Sequence, residues 1–84
     1  MDVKSLYTFI AVVDHGSFAQ AADALELSAS AISVQMRGLE ADVDMRLFDR
    51  SRRPPVLTEE GRAFAERARA VIAKWEELSD SLRR

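Results

Sequence analysis

Six apolar residues near the C-terminal end most constrain what this chain can fold into. Phe64, Ala68, Val71, Trp75, Leu78 and Leu82 are spaced 4, 3, 4, 3 and 4 apart. That is the repeat of a helical seam packed against another helix over about three heptads. A helix carrying it runs for about 25 residues, or about 37 Å. The chain has 84 residues, and a domain of that size buries only about 60% of its unfolded surface. The rest of the molecule is too small to cover such a helix along its length, so the seam implies a partner helix from a second copy. The residues before it must fold by packing alone. There is no cysteine to give a disulfide, a thiol nucleophile or a thiolate ligand, and a single histidine, His15, excludes a multi-histidine metal site.

Those earlier residues show helical periods broken by turn signals. Asp2 caps a helix from about Val3, with Leu6, Phe9, Ile10 and Val13 on one face. His15-Gly16 ends it. Ser17-Phe18-Ala19-Gln20 is a capping box for a second helix, whose apolar face is Phe18, Ala21, Ala22 and Leu25. Ser28 caps a third helix, expected to run to about Asp42, with Ile32, Met36, Leu39 and Val43 on its core stripe. A second stripe of the same helix, Ser30, Ser33, Val34 and Arg37, keeps helical spacing but carries small or hydrogen-bonding side chains and one arginine. Such a face lets a helix backbone come close to something flat and polar. From Met45 the helical period stops. Leu47-Phe48 anchors into the core, Arg50-Ser51-Arg52-Arg53-Pro54-Pro55 makes a basic turn, and Val56-Leu57 returns as a short strand. Thr58 then caps the seam helix, with Glu59 and Glu60 at its positive end.

The charge balance fits this division. The net charge is −2, yet between Met45 and Thr58 four arginines stand against one aspartate. A local basic patch outweighs a weakly acidic total when the partner is polyphosphate. The composition, 48% apolar and 31% charged, is globular. The longest apolar run, Phe9 to Val13, is far short of the roughly 20 residues of a membrane span. The N-terminus has no apolar leader. A cytoplasmic protein with no membrane partner is expected.

Two helices separated by a short break, the second with a polar reading face, describe a helix-turn-helix over residues 18–37. Counted from Phe18, Ala22 is fifth, Leu25 eighth, Leu27 tenth and Ile32 fifteenth. These are the positions where the motif needs a small residue at the crossing and apolar residues between the helices. Glu26 holds the ninth place, often glycine. The chain resembles the N-terminal domain of LysR-type transcriptional regulators through Leu6-x-x-Phe9, Gly16-Ser17-Phe18-x-x-Ala21-Ala22-x-x-Leu25, Ser28-x-Ser30-Ala31-Ile32-Ser33-x-Gln35-Met36-Arg37-x-Leu39-Glu40, Leu47-Phe48-x-Arg50 and Leu57-Thr58-x-x-Gly61. The expected fold is mainly α: a winged helix-turn-helix head with a small β-wing over residues 1–58, then a long linker or dimerisation helix over 59–84.

The resemblance implies a bacterial, sequence-specific regulator that binds double-stranded DNA as a homodimer on an imperfect palindrome, tetrameric at full length, with an effector-sensing domain absent from this chain. The chain would then be a fragment. The DNA-binding residues it implies are Ser28, Ala29, Ser30, Ser33, Val34, Gln35, Arg37, Arg50, Arg52, Arg53 and Thr58. Those for dimerisation are the six seam residues. Ser30, Ser33, Val34 and Arg37 would face the major groove, and Arg50, Arg52 and Arg53 the minor groove. Plainer roles stand beside these. Ser28 and Thr58 are helix caps in any protein, Arg37 could pair with Glu40 or Asp44, and Arg50 could buttress the wing through Asp49 or Glu40. Trp75 is expected in a core and His15 at a helix end.

Family members often carry glutamine where this chain has Ala29, arginine where it has Val34, and glycine where it has Asp44. Alanine and valine can touch a thymine methyl but cannot pair with a guanine or adenine edge. Readout should therefore lean on A·T content, shape and the wing. A protein-interaction module built on the seam is the rival reading. An enzyme is not expected, for no nucleophile–base set, phosphate-cradling glycine loop or paired-carboxylate pocket is present, and no metal or cofactor is expected.

Overall fold

Each helix begins where a short polar side chain caps it. Asp2 Oδ1 accepts the Ser5 N–H at 2.9 Å, Ser17 Oγ that of Gln20 at 3.1 Å, Ser28 Oγ that of Ala31 at 3.0 Å, and Thr58 Oγ1 that of Gly61 at 2.9 Å. The elements are α1 (Val3–His15), α2 (Phe18–Leu25), α3 (Ala29–Val43), β1 (Phe48–Asp49), β2 (Val56–Leu57) and α4 (Glu59–Leu82). They come from a computed structural model that describes residues 1–83; Arg84, the last residue of the expected 59–84 segment, lies outside the described residues. The capping box at Ser17 is half formed. Gln20 Oε1 accepts from the Ser17 hydroxyl at 3.3 Å rather than from a backbone N–H.

The three short helices close on left-handed residues: Gly16 (φ 89°), Glu26 (φ 57°) and Asp44 (φ 53°). Glycine takes this conformation freely, whereas Glu26 and Asp44 each accept about 1–2 kcal/mol of strain. Backbone bonds offset it: the Leu27 N–H reaches the Ala22 carbonyl at 2.9 Å and the Met45 N–H that of Glu40 at 3.1 Å. The wing is a two-stranded antiparallel pair, with Phe48 opposite Leu57 and Asp49 opposite Val56.

The core joins Leu6, Phe9 and Val12 of α1 to Ala21 and Ala22 of α2, Ile32, Met36 and Leu39 of α3, Leu47 and Phe48 at the wing entry, and Ala65, Ala68 and Ile72 of α4. Four phenylalanines run through it edge to face. Phe18 meets Phe48 at 5.0 Å, Phe48 meets Phe9 at 5.7 Å and Phe9 meets Phe64 at 5.3 Å between centroids. Such pairs contribute about 0.5–1.5 kcal/mol each beyond their burial. They tie four separate elements to one centre. Four expected core positions differ. Val12 is buried while Ile10 and Val13 are half-buried, because α1 is rotated slightly, and Leu25 and Leu27 remain exposed at the end of α2.

The expected seam divides. Ala68 is buried in the chain's own core and Phe64 packs on Phe9, whereas Val71, Trp75, Leu78 and Leu82 are exposed. The buried stripe of α4 is instead Gly61, Ala65, Ala68 and Ile72. Small side chains there let α4 lie close against α1. No residue of α4 after Ile72 is buried, so the head covers its last ten residues, about 15 Å of helix, only in part, and the molecule measures 46 × 26 × 19 Å.

Close approach is tightest at Gly61. A Cβ there would lie 2.2 Å from the Leu47 carbonyl oxygen, which also accepts the Thr58 N–H at 3.0 Å. Gly61→Ala is expected to destabilise the fold by about 3 kcal/mol, the upper end of overpacking costs. Gly38, mid-helix in α3, has nothing within 4 Å of its would-be Cβ, so Gly38→Ala should stabilise by about 0.5–1 kcal/mol. Urea unfolding of the two variants, opposite in sign, checks the pair.

An ion pair fixes the middle of α4. Arg69 Nη2 donates to Asp14 Oδ1 at 2.6 Å. That hydrogen bond, helped by the guanidinium charge, holds the Asp14 carboxyl below the ordinary aspartate value. A depressed folded pKa gives stability that is present above the unfolded value and lost as pH falls below about 4. Stability measured from pH 6 down to pH 3 should therefore fall less in Asp14→Asn than in the parent.

Candidate nucleic-acid interface

The outer face of α3 is built from short side chains. Ala29, Ser30, Ala31, Val34, Arg37, Gly38 and Ala41 are exposed, while Ser33 and Gln35 are half-buried. Val34 is 70% exposed and packs on nothing in the core. At the start of the helix, Ser28 Oγ accepts the Ala31 N–H, which leaves its own proton free to donate, and the Ala29 and Ser30 N–H groups point out of the first turn. This end therefore offers hydrogen-bond donors and the positive pole of a helix. Arg37 takes part in no ion pair among the described residues. The plainer pairing with Glu40 or Asp44 is not made, because Glu40 is engaged elsewhere.

Glu40 carries the wing. Its Oε2 accepts the N–H groups of Leu47 at 2.8 Å and Phe48 at 3.2 Å, and its Oε1 accepts Arg50 Nη1 at 2.6 Å. Of the two roles the sequence leaves open for Arg50, DNA contact or wing buttress, the structure shows the side chain turned inward. Its side chain is 21% exposed and that of Glu40 11%. Arg50 Nε and Nη2 are buried with no hydrogen-bond partner. The guanidinium carbon instead lies 5.9 Å from the Phe18 ring and 5.7 Å from the Phe48 ring, within cation–π range. Arg50 thus buttresses the wing, through Glu40 rather than Asp49. Thr58 is similarly occupied: its one hydroxyl proton goes to the Arg46 carbonyl at 2.6 Å while its oxygen caps Gly61. Glu40 is one of the two partners the sequence offers for Arg50; what the sequence does not show is that the same carboxylate also holds the Leu47 and Phe48 N–H groups.

Beyond Arg50 the wing is a free basic tip. Asp49 Oδ1 accepts from Ser51 Oγ at 2.6 Å and Ser51 N at 3.0 Å, closing the turn. Those bonds, the hydroxyl's first, hold the Asp49 carboxyl below its ordinary value. Arg52 stands 3.9 Å from Asp49 with most of its side chain in solvent, and Arg53 is exposed without an ion pair among the described residues. Arg46, another residue missed from the expected site, is also exposed. With Arg37, Asp44 and Ser51 it lines an open cleft of about 740 Å³ between α3 and the wing. The structure thus brings Arg37 and the wing entry to one cleft.

A helix pair with a bare, donor-rich second helix, flanked by a basic hairpin, defines a helix-turn-helix regulator head. Residues 3–62 match the family described as bacterial regulatory helix-turn-helix protein, lysR family, and the chain belongs to that family. It is 50% identical over 72 residues, 86% of the chain, to the uncharacterized HTH-type transcriptional regulator YxjO of Bacillus subtilis, and spans 25% of that protein. Its fold matches the BenM DNA-binding domain in the complex with catB site 1 DNA (TM-score 0.91, 31% identity, covering 100% of this chain and 90% of that one). It also matches the CbnR DNA-binding domain in its DNA complex (TM-score 0.90, 40% identity, 99% and 95% covered). No helix among the described residues is long and apolar enough to cross a membrane.

Proposed function

We propose that this chain is the DNA-binding head and linker helix of a transcriptional regulator, and that its partner is double-stranded DNA. The observation that carries this is the α3 face. Ser30, Val34 and Arg37 are exposed and have no hydrogen-bond or ion-pair partners among the described residues, and the arginine-rich wing stands beside them. The likeness to two DNA-binding domains solved on DNA supports the same reading. In this reading α3 enters the major groove by its N-terminal half. Ser28 and the first N–H groups take a phosphate, and Ser30, Ser33 and Val34 meet base edges, with Ala29 and Gln35 alongside. Arg52 and Arg53 approach the neighbouring minor groove, where a narrow groove concentrates negative potential. Arg46 and Arg37 join them on the backbone side, while Arg50 and Thr58 hold the frame.

Val71, Trp75, Leu78 and Leu82 then form the dimer contact, a spacing of 4, 3 and 4 on a stretch of helix that the head covers only in part. Two heads so joined place their α3 helices about 34 Å apart, or a multiple of it, on an imperfect palindrome. We further infer that the chain is part of a longer cytoplasmic protein, tetrameric when complete, whose remaining length senses an effector.

Arg52→Ala combined with Arg53→Ala tests the DNA reading. Each arginine on a phosphate contributes about 0.9 to the slope of log K against log salt. The pair is expected to weaken binding to every duplex and lower that slope by about 2, measured by fluorescence anisotropy across a salt series. A module that served only protein association would show no such change.

A further inference from the structure

We infer that Val34 is a reader of pyrimidine C5-methyl groups, so that this head recognises its site partly through thymine methyls and responds to cytosine methylation at the same step. The inference rests on the proposed docking of α3 in the major groove. It stands on what surrounds Val34. Single exposed valines are ordinary on protein surfaces, but this one is the bulkiest apolar side chain on the outer face of its helix. Its neighbours one turn away are Ser30, Ala31, Arg37 and Gly38, and Ala41 lies two turns on. With Gly38 adding no side chain and Ala31 and Ala41 only a methyl each, and with the longer Arg37 side chain polar and able to swing aside, the isopropyl group is the apolar point that meets a flat surface first. It is 70% exposed and makes no part of the core cluster. Valine is also a poorer helix former than alanine, so local helix stability does not favour it there.

The chemistry of the groove selects the occupant. In the major groove, thymine presents a carbonyl oxygen and a C5 methyl, whereas the purine edges and unmethylated cytosine present polar groups or a bare C–H. An isopropyl group set against a polar edge would desolvate that edge without pairing it. Against a methyl it removes apolar surface on both sides from water. Ser30 and Ser33, one turn and one residue away, can serve the O4 of the same or the next thymine. 5-Methylcytosine offers the same methyl at the same place, so a step containing cytosine becomes a better partner once methylated.

The test starts from a duplex chosen by binding selection with this chain from random sequence. Each thymine in the half-sites is then replaced by uracil, which removes only the methyl. One thymine position per half-site is expected to weaken binding about fourfold, the factor that burying one methyl gives. Cytosine methylated at C5 in that position is expected to bind better than unmethylated cytosine by a similar factor. Both differences should disappear in Val34→Ala, whose substitution lies on the surface and leaves the core intact. Specific binding without any uracil-sensitive position, or with a sensitivity unchanged in Val34→Ala, overturns this inference and leaves the docking of α3 standing. If no sequence is enriched, the docking itself is overturned and the inference with it.

Discussion

Glu40→Ala is expected to lower the stability of the fold by about 3 kcal/mol, the lower end of the cost of removing one partner from a buried ion pair, because this pair is part-buried. A domain of this size has roughly 4–13 kcal/mol of stability in total, so this is a large share of it. Three bonds end on this carboxylate, from Leu47 N, Phe48 N and Arg50 Nη1. Its loss strands two backbone donors and leaves the Arg50 guanidinium, whose Nε and Nη2 already lack partners, buried between Phe18 and Phe48. Thermal and urea unfolding followed by circular dichroism measure the loss. A double variant, Glu40→Ala with Arg50→Met, should recover part of it, because no uncompensated charge then remains in the core. If Glu40→Ala alone costs less than about 1 kcal/mol, the guanidinium can swing into solvent and the clasp is not what holds the wing.

Trp75→Glu is expected to have the largest effect on binding. It places a charge in the middle of the exposed ridge Val71, Trp75, Leu78 and Leu82, where the proposed partner helix lies. Trp75 is 43% exposed in the single chain, so part of its ring packs within the chain, and urea unfolding run alongside separates any lost packing from the lost dimer contact. The dimer should fall apart to monomers in sedimentation. With two heads no longer linked, affinity for a two-half-site duplex should drop by about 10²- to 10³-fold, while affinity for one half-site should barely move. Dimers that persist in Trp75→Glu would move the contact to another face of the molecule.

Much of the fold was legible because its signals are local. The caps at Asp2, Ser17, Ser28 and Thr58 and the stop at Gly16 depend on residues three or four apart, and helix boundaries follow from them within a residue or two. The wing was legible from the loss of helical period and the two prolines. The candidate site was half legible. The bare α3 face could be recognised from its spacing, as could the basic tip at Arg52 and Arg53. For Arg50 and Thr58 the sequence offered a structural role beside the DNA role and left the choice open, because each outcome depends on a partner 10 or 12 residues away, Glu40 and the Arg46 carbonyl.

The six-residue heptad shows why local periodicity was insufficient. The repeat was present, but a repeat does not say which helix answers it. The sequence alone determined that α4 is amphipathic and too long for the head to cover. The tertiary structure decided how it is shared. Phe64 and Ala68 turn to α1, beside a stripe of Gly61, Ala65 and Ile72 that the heptad did not contain, and the ridge from Val71 onward stays exposed among the described residues. The physical reason is the close approach at Gly61, where the Leu47 carbonyl abuts the first turn of α4. That contact sets how the helix is rotated against the head, and so which side chains go inward and which stay exposed.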